Sequence, residues 1–314
     1  MPYTLVFPGQ GSQFVGMGKE LADAFSVAKE VFVEVNDALH EDLTKIMFSG
    51  DINELTLTKN TQPALMAVSM AIVRILQYEG RISLADTFRY TAGHSLGEYT
   101  ALCAAGAMSI STCADLLRKR GLAMQEAVPV GQGGMVALIG ADMDIAKEIA
   151  NESAKGDVCV AANDNAPGQV VLSGTMSAID RAVEIAKQKG LRRAIKLNVS
   201  APFHSPLMAS AAKVMEEALQ TAPIQDLNFP VIANVSAKPI WKQSEIRPSL
   251  VQQITGTVRW RESMMFAKQS GVDTIVEVGA GKVLTGLAKK IDAEFKTFTL
   301  NTPADIEDFI KQIG

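Results

Sequence analysis

Gly93-His94-Ser95-Leu96-Gly97 sets a serine between two glycines, in the G-x-S-x-G spacing of a nucleophile held where a strand turns abruptly into a helix. The flanks agree: residues 88–92 read as a strand, and small residues continue as a helix to about 107. Glycines at 93 and 97 permit a strained turn and close packing. The new helix aims N–H groups and the positive end of its dipole at the serine oxygen, where acyl chemistry develops negative charge. The competing structural reading is a serine that caps a helix after a tight turn; the preceding strand favours the nucleophile.

A serine hydroxyl needs a base at neutral pH, and the chain has three histidines, His40, His94 and His204. His40 lies in the polar, acidic stretch Asn36-Asp37-Ala38-Leu39-His40-Glu41-Asp42 and reads as solvated. His94 adjoins Ser95, but neighbours on a sharp turn point apart, so its expected role is to pack or hydrogen-bond beneath the turn. His204 stands in Pro202-Phe203-His204-Ser205-Pro206, where two prolines hold an extended loop. Such loops present catalytic groups, and histidine after serine is the chain order of an α/β-hydrolase-type site. The alternative is a satisfied loop histidine.

Arg120 is anomalous. Ser109 or Ser111 caps a helix running to about 127, whose apolar stripe falls at Cys113, Leu116, Leu117, Met124 and Ala127. Arg120 is in phase with that stripe, while Arg118 and Lys119 lie off it and read as solvated charges. An inward guanidinium needs an anion: an internal Asp or Glu, or a substrate carboxylate held bidentately. The pattern leaves both open, along with a side chain that reaches back to solvent.

These groups need a framework of strands and helices. Residues 5–7 read as a buried strand ending at the turn Pro8-Gly9-Gln10-Gly11-Ser12-Gln13, with helices around 25–39 and 62–77. Pro129 and Gly131-Gln132-Gly133-Gly134 mark a linker. Beyond it the pattern is strand 135–139, helix 143–153, strand 158–162, a turn over 163–168, strand 169–173, helix 178–189 and strand 193–199. That βαββαβ order is ferredoxin-like. A helix near 206–220, a strand at 231–234, a helix at 248–255 and a closing strand at 274–278 with a further helix complete the chain. The expected fold is α/β: a large α/β-hydrolase-like subdomain with a mainly parallel sheet (residues 1–128 and 199–314), interrupted by a small ferredoxin-like α+β subdomain (129–198).

Composition bounds the partners. The 314 residues, 47% hydrophobic with a formal net charge of −4, suit a large core and show no basic footprint for nucleic acid. Cys103, Cys113 and Cys159 lack CxxC spacing and read as free buried thiols. No cluster has metal-ligand spacing, and no apolar run is long enough to span a membrane. The N-terminus lacks a secretory pattern, so the cytoplasm is the expected location. Gly279-Ala280-Gly281-Lys282 fails the phosphate-loop pattern twice, with Val276 where a glycine and Val283 where Ser or Thr is needed.

Taken together, Pro8-Gly9-Gln10-Gly11-Ser12-Gln13, Gly93-His94-Ser95-Leu96-Gly97-Glu98, Arg120, Pro202-Phe203-His204 and Glu277-Val278-Gly279-Ala280-Gly281-Lys282 resemble malonyl-CoA:acyl carrier protein transacylases over nearly the whole chain. The resemblance implies that Ser95 forms an acyl ester, that His204 is its base and later acid, and that Gln10 with the Leu96 N–H forms the oxyanion hole. Arg120 would clasp the malonyl carboxylate. A glutamine carbonyl would orient the histidine; position matching selects Gln253, with Gln252 beside it as the alternative. Phe203 would crowd an α-methyl group, Met124 would line the same pocket and Asn163 would face the cleft. Ala280 stands where many relatives carry proline, behind the site. The implied partners are malonyl-CoA and holo acyl carrier protein, with the coenzyme A thioester as substrate and no cofactor; composition and spacing add no metal, no nucleic acid and no membrane, and a monomer is one possible state, which the sequence does not fix. Rival readings are a serine esterase or thioesterase, an acyltransferase of a polyketide pathway, and a non-catalytic module on the same fold.

Overall fold

The computed structural model describes residues 2–199 and 201–313; Ser200, at the start of the histidine loop, lies outside them. Two sheets organise the chain. The larger contains β1 (Tyr3–Phe7), β2 (Phe88–Gly93), β7 (Val231–Ile232), β8 (Pro239–Ile240), β9 (Thr274–Val278) and β10 (Lys296–Leu300), in the order β10-β9-β1-β2-β7-β8. All its pairings are parallel except β7 with β8. β1 sits at its centre, and Leu5, Val6 and Phe7 are fully buried, as strands covered on both faces require.

The smaller sheet contains β3 (Gly133–Ile139), β4 (Cys159–Ala166), β5 (Gln169–Thr175) and β6 (Arg193–Lys196), ordered β4-β5-β3-β6 and wholly antiparallel. Helices Met143–Ala154 and Met176–Gln188 cover it around a separate core that includes Val136, Leu138, Ile149, Leu172 and Ile179. This is the ferredoxin-like βαββαβ arrangement, inserted between two stretches of a mainly parallel α/β unit.

Several expectations need correction. Residues 163–166, read as a turn, extend β4, and only Pro167 and Gly168 turn. Register shifts between Ala161 and Asn163 and between Asp164 and Ala166 let these turn-prone residues stay paired. Val258 then stitches them to the large subdomain, accepting from Asp164 N–H and bridging Asn163. β6 stops at Lys196 rather than 199. The strand at 274–278 is not the closing one, because β10 lies outside it. The helix placed at 248–255 starts at Gln243, with Pro248 inside it. Arg118 is 9% exposed, not solvated. Its helix, Ile110–Glu126, packs against Ser26–Leu39, Thr58–Tyr78 and Ala209–Thr221, so more than one face is covered.

Candidate active site

Ser95 lies just beyond the carboxyl end of β2, with φ of 52°. Left-handed backbone is costly for a residue with a side chain and persists only where the surroundings force it. The forcing is visible in the two glycines. A Cβ on Gly93 would lie 1.8 Å from the Gly97 carbonyl oxygen, and one on Gly97 would lie 2.4 Å from that of Phe7. The turn is therefore folded on itself and pressed against β1. Asn234, just past β7, pins it from the other side: its Oδ1 accepts the Ser95 N–H at 2.8 Å and its Nδ2 donates to the Gly93 carbonyl at 2.7 Å. Helix Gly97–Ala104 starts immediately afterwards. The Leu96 N–H has no protein acceptor among the described residues, and Leu96 lines the cavity with Gln10, whose Nε2 reaches Thr58 Oγ1 at 3.4 Å.

His204 is also in left-handed backbone, φ 57°, and its Nε2 is 2.7 Å from Ser95 Oγ. Nδ1 lies 2.8 Å from the Gln253 carbonyl. A carbonyl only accepts, so Nδ1 carries the proton and Nε2 is left to take one from the serine. The alternative Gln252 is exposed, leaving Gln253 as the residue that orients the ring. Burial, reinforced by the Arg120 charge, pushes the His204 imidazole down to about 3 although the Gln253 carbonyl favours its protonated form. The ring is neutral at physiological pH.

Arg120 is 1% exposed. Nη1 donates to Gln62 Oε1 at 2.8 Å, while Nη2 donates to Gln253 Oε1 at 2.8 Å and to Ser95 Oγ at 3.2 Å. Its carbon lies 5.6 Å from the centre of the Tyr99 ring, and its Nε has no acceptor. Among the described residues no carboxylate comes within ion-pair distance of it. The internal Asp or Glu left open by the helical pattern makes no direct contact there among the described residues, and a buried guanidinium is held by neutral amides beside the Ser95 hydroxyl.

These groups open onto a cavity of about 270 Å³ between the two sheets. Its wall includes Gln10, Ser95, Leu96, Arg120, His204, Met124 and Phe203 from the large subdomain and Asn163 from β4. Gln253 lies behind that wall, fully buried. Met124 Sδ accepts a long 3.8 Å contact from Gln62 Nε2. His94 also lines the cavity, and its Nε2 is bonded to Asn165 Oδ1 of the insert, a second lining residue, at 2.8 Å. His40 ends helix Ser26–Leu39, remote from the site.

Four residues of the constellation escaped the sequence reading. Gln62 and Asn165 supply amides, and Asn234 gives no sequence signal beyond a short apolar run before it. Glu98 did leave one: a carboxylate in the first turn of an otherwise small-residue helix. It has no exposed surface, and burial pushes its carboxyl up to about 7 against hydrogen bonds from Gln253 and Asn234 and the Arg120 charge. Among the described residues no three His, Cys, Asp or Glu gather as metal ligands, and no helix is long and apolar enough to cross a membrane.

The acyl transferase domain model matches residues 4–297. A malonyl CoA-acyl carrier protein transacylase of Bacillus subtilis is 45% identical over 303 residues, 96% of this chain and 94% of that protein. The crystal structure of an acyl-carrier-protein S-malonyltransferase from Bartonella henselae is 50% identical, with a TM-score of 0.97 over 99% of each chain. A malonyl-transacylase in complex with its type II PKS acyl-carrier protein superposes with a TM-score of 0.96 at 39% identity, covering 99% of this chain and 100% of that one.

Proposed function

The chain belongs to the acyl transferase family, and from that premise we propose that it transfers malonyl groups from coenzyme A to the phosphopantetheine thiol of an acyl carrier protein, for fatty-acid synthesis. The carrying observation is Arg120, a buried cation that no carboxylate meets directly among the described residues, 3.2 Å from Ser95 Oγ. Malonyl is an acyl group that brings its own carboxylate.

The reaction runs in two halves around a Ser95 ester. His204 Nε2 takes the hydroxyl proton as Oγ attacks the thioester carbonyl. The developing oxyanion meets the Leu96 N–H and Gln10. Collapse expels the coenzyme A thiolate, which leaves with the proton from His204. The carrier thiol enters the vacated position, gives its proton to His204, attacks the ester and releases Ser95, which recovers the proton. No cofactor takes part. Arg120, already aimed by Gln62 and Gln253, fixes the distal carboxylate and disfavours acetyl, which would leave the guanidinium unpaired. Phe203 limits substitution at the α-carbon. We further propose that the protein acts as a monomer in the cytoplasm.

Incubation with malonyl-CoA and intact-mass measurement tests the reading. One malonyl adduct should form, fail to form in Ser95→Ala, persist in water and discharge onto holo carrier protein. Rapid loss to water without carrier would identify a hydrolase, and no adduct would remove Ser95 from the chemistry.

A further inference from the structure

Glu98 is a fully buried carboxylate three residues past the nucleophile, and the transfer described above makes no use of it. Its Oε2 accepts from Gln253 Nε2 at 2.8 Å and from the Asn234 N–H at 3.1 Å, while Oε1 faces the Ser249 hydroxyl at 3.4 Å. No Lys or Arg among the described residues pairs with it directly. An isolated buried charge is strongly unfavourable, and here two of opposite sign are separated by a single amide. Gln253 takes Arg120 Nη2 on its Oε1 and gives its Nε2 to Glu98, both at 2.8 Å. The same Nε2 reaches the Ser95 carbonyl, and the main-chain carbonyl of Gln253 holds His204. Asn234, whose N–H Glu98 holds, pins the Ser95 turn.

Resting on the malonyl reading, we infer that Glu98 is a positioning residue of the site: through the Gln253 amide it is the resident counter-charge of Arg120, and it yields that role to the acyl carboxylate. With malonyl bound, two anions face one cation in a dry pocket. Glu98 relieves that repulsion by taking a proton from solvent, keeping its place in the hydrogen-bond cluster. The other ionisable groups facing it stay fixed near neutral pH. Arg120, from helix Ile110–Glu126, remains charged. Burial pushes the Tyr99 phenol up, so it stays neutral, and His204 is neutral because its imidazole lies far below. Asn234, Ser249 and Gln253 do not titrate.

The sign follows from linkage. Protonated Glu98 favours the malonyl complex, so preference for malonyl over acetyl is greatest in mild acid and falls as pH rises through neutrality, by up to about tenfold per pH unit. The measurement is the ratio of kcat/KM for Ser95 acylation by malonyl-CoA and by acetyl-CoA, between about pH 6 and 8.5. Taking the ratio cancels ionisations common to both substrates. Wild-type protein should show the slope, Glu98→Asp should retain one, and Glu98→Gln, which keeps the shape and acceptor oxygen, should be flat. A flat wild-type ratio overturns the inference without any variant, and so does a Glu98→Gln slope equal to wild type, which would make Glu98 merely structural. If wild-type protein forms no malonyl ester at any pH, the transfer reading itself falls, an outcome distinct from an ester whose preference ignores pH.

Discussion

Arg118 and Arg120 stand two residues apart on helix Ile110–Glu126, and both are buried. Each sends Nη1 to an amide oxygen of helix Thr58–Tyr78, Arg118 to Asn60 at 2.6 Å and Arg120 to Gln62 at 2.8 Å. The two neighbourhoods part at the second partner. Arg118 pairs with the Glu41 carboxylate at 2.8 Å. Arg120 finds the Ser95 hydroxyl and a glutamine amide. One way of burying a guanidinium thus gives a structural tie where a carboxylate meets it directly, and, in the proposed reading, a recognition site where neutral groups leave that direct contact to the ligand.

Supplying that anion should break the contrast most severely. In Gln62→Glu, Arg120 gains a directly bonded carboxylate. An ion pair at about 4 Å and an effective dielectric near 20 is worth about 4 kcal/mol, so malonyl-CoA acylation should fall roughly 10²–10³-fold in kcat/KM, with acetyl-CoA far less affected. Unchanged malonyl kinetics would mean that the guanidinium does not read the acyl group. The pH profile sharpens the comparison next, because burial, reinforced by the Arg120 charge, holds the His204 imidazole low. With its imidazole at about 3, kcat/KM for acylation by acetyl-CoA, which carries no carboxylate to couple with Glu98, should hold from pH 7 to 5, where an ordinary histidine would lose about thirtyfold. Folding carries a different signature. Below about 6.5 the unfolded chain takes up a proton that buried His204 refuses, an acid penalty that Glu98, its carboxyl raised to about 7, offsets by taking up a proton in the folded state until about 4.5.

Arg118→Ala should do the reverse of the Arg120-side change, lowering stability by about 1–3 kcal/mol in denaturant titration while leaving acylation kinetics within about threefold. A selective loss of malonyl transfer there would erase the distinction. Smallest is Glu41→Gln. Glu41 is more than half exposed, so its loss should be worth less than about 1 kcal/mol and vanish in high salt.

The elements that carry chemistry were the legible ones, because strand, glycine-bounded turn and helix impose local rules on residues 88–104. The His204 loop was legible through its prolines, and Arg120 through helical phase. Arg118 was misread because one apolar stripe implies one buried face, whereas three helices pack around this one. Asn163, Asp164 and Asn165 carry turn propensity, yet pairing with β5 and Val258, and an ion pair from Arg261 to Asp164 at 2.8 Å, hold them extended. β10 is an edge strand without full burial, so it lacks the apolar run that marks an interior one. Asn234 and Gln62 matter through contacts 139 and 58 residues away, a relation no local pattern encodes.

The central claim is that Arg120 reads the acyl carboxylate, and a direct competition measures it. Wild-type protein and Arg120→Ala are mixed briefly with equimolar malonyl-CoA and acetyl-CoA, and the Ser95 adducts are weighed by intact mass. Wild type should carry malonyl almost alone, and Arg120→Ala should lose that excess and carry acetyl at a comparable or greater level. A malonyl excess that survives in Arg120→Ala would contradict the account, because the carboxylate would then be recognised elsewhere.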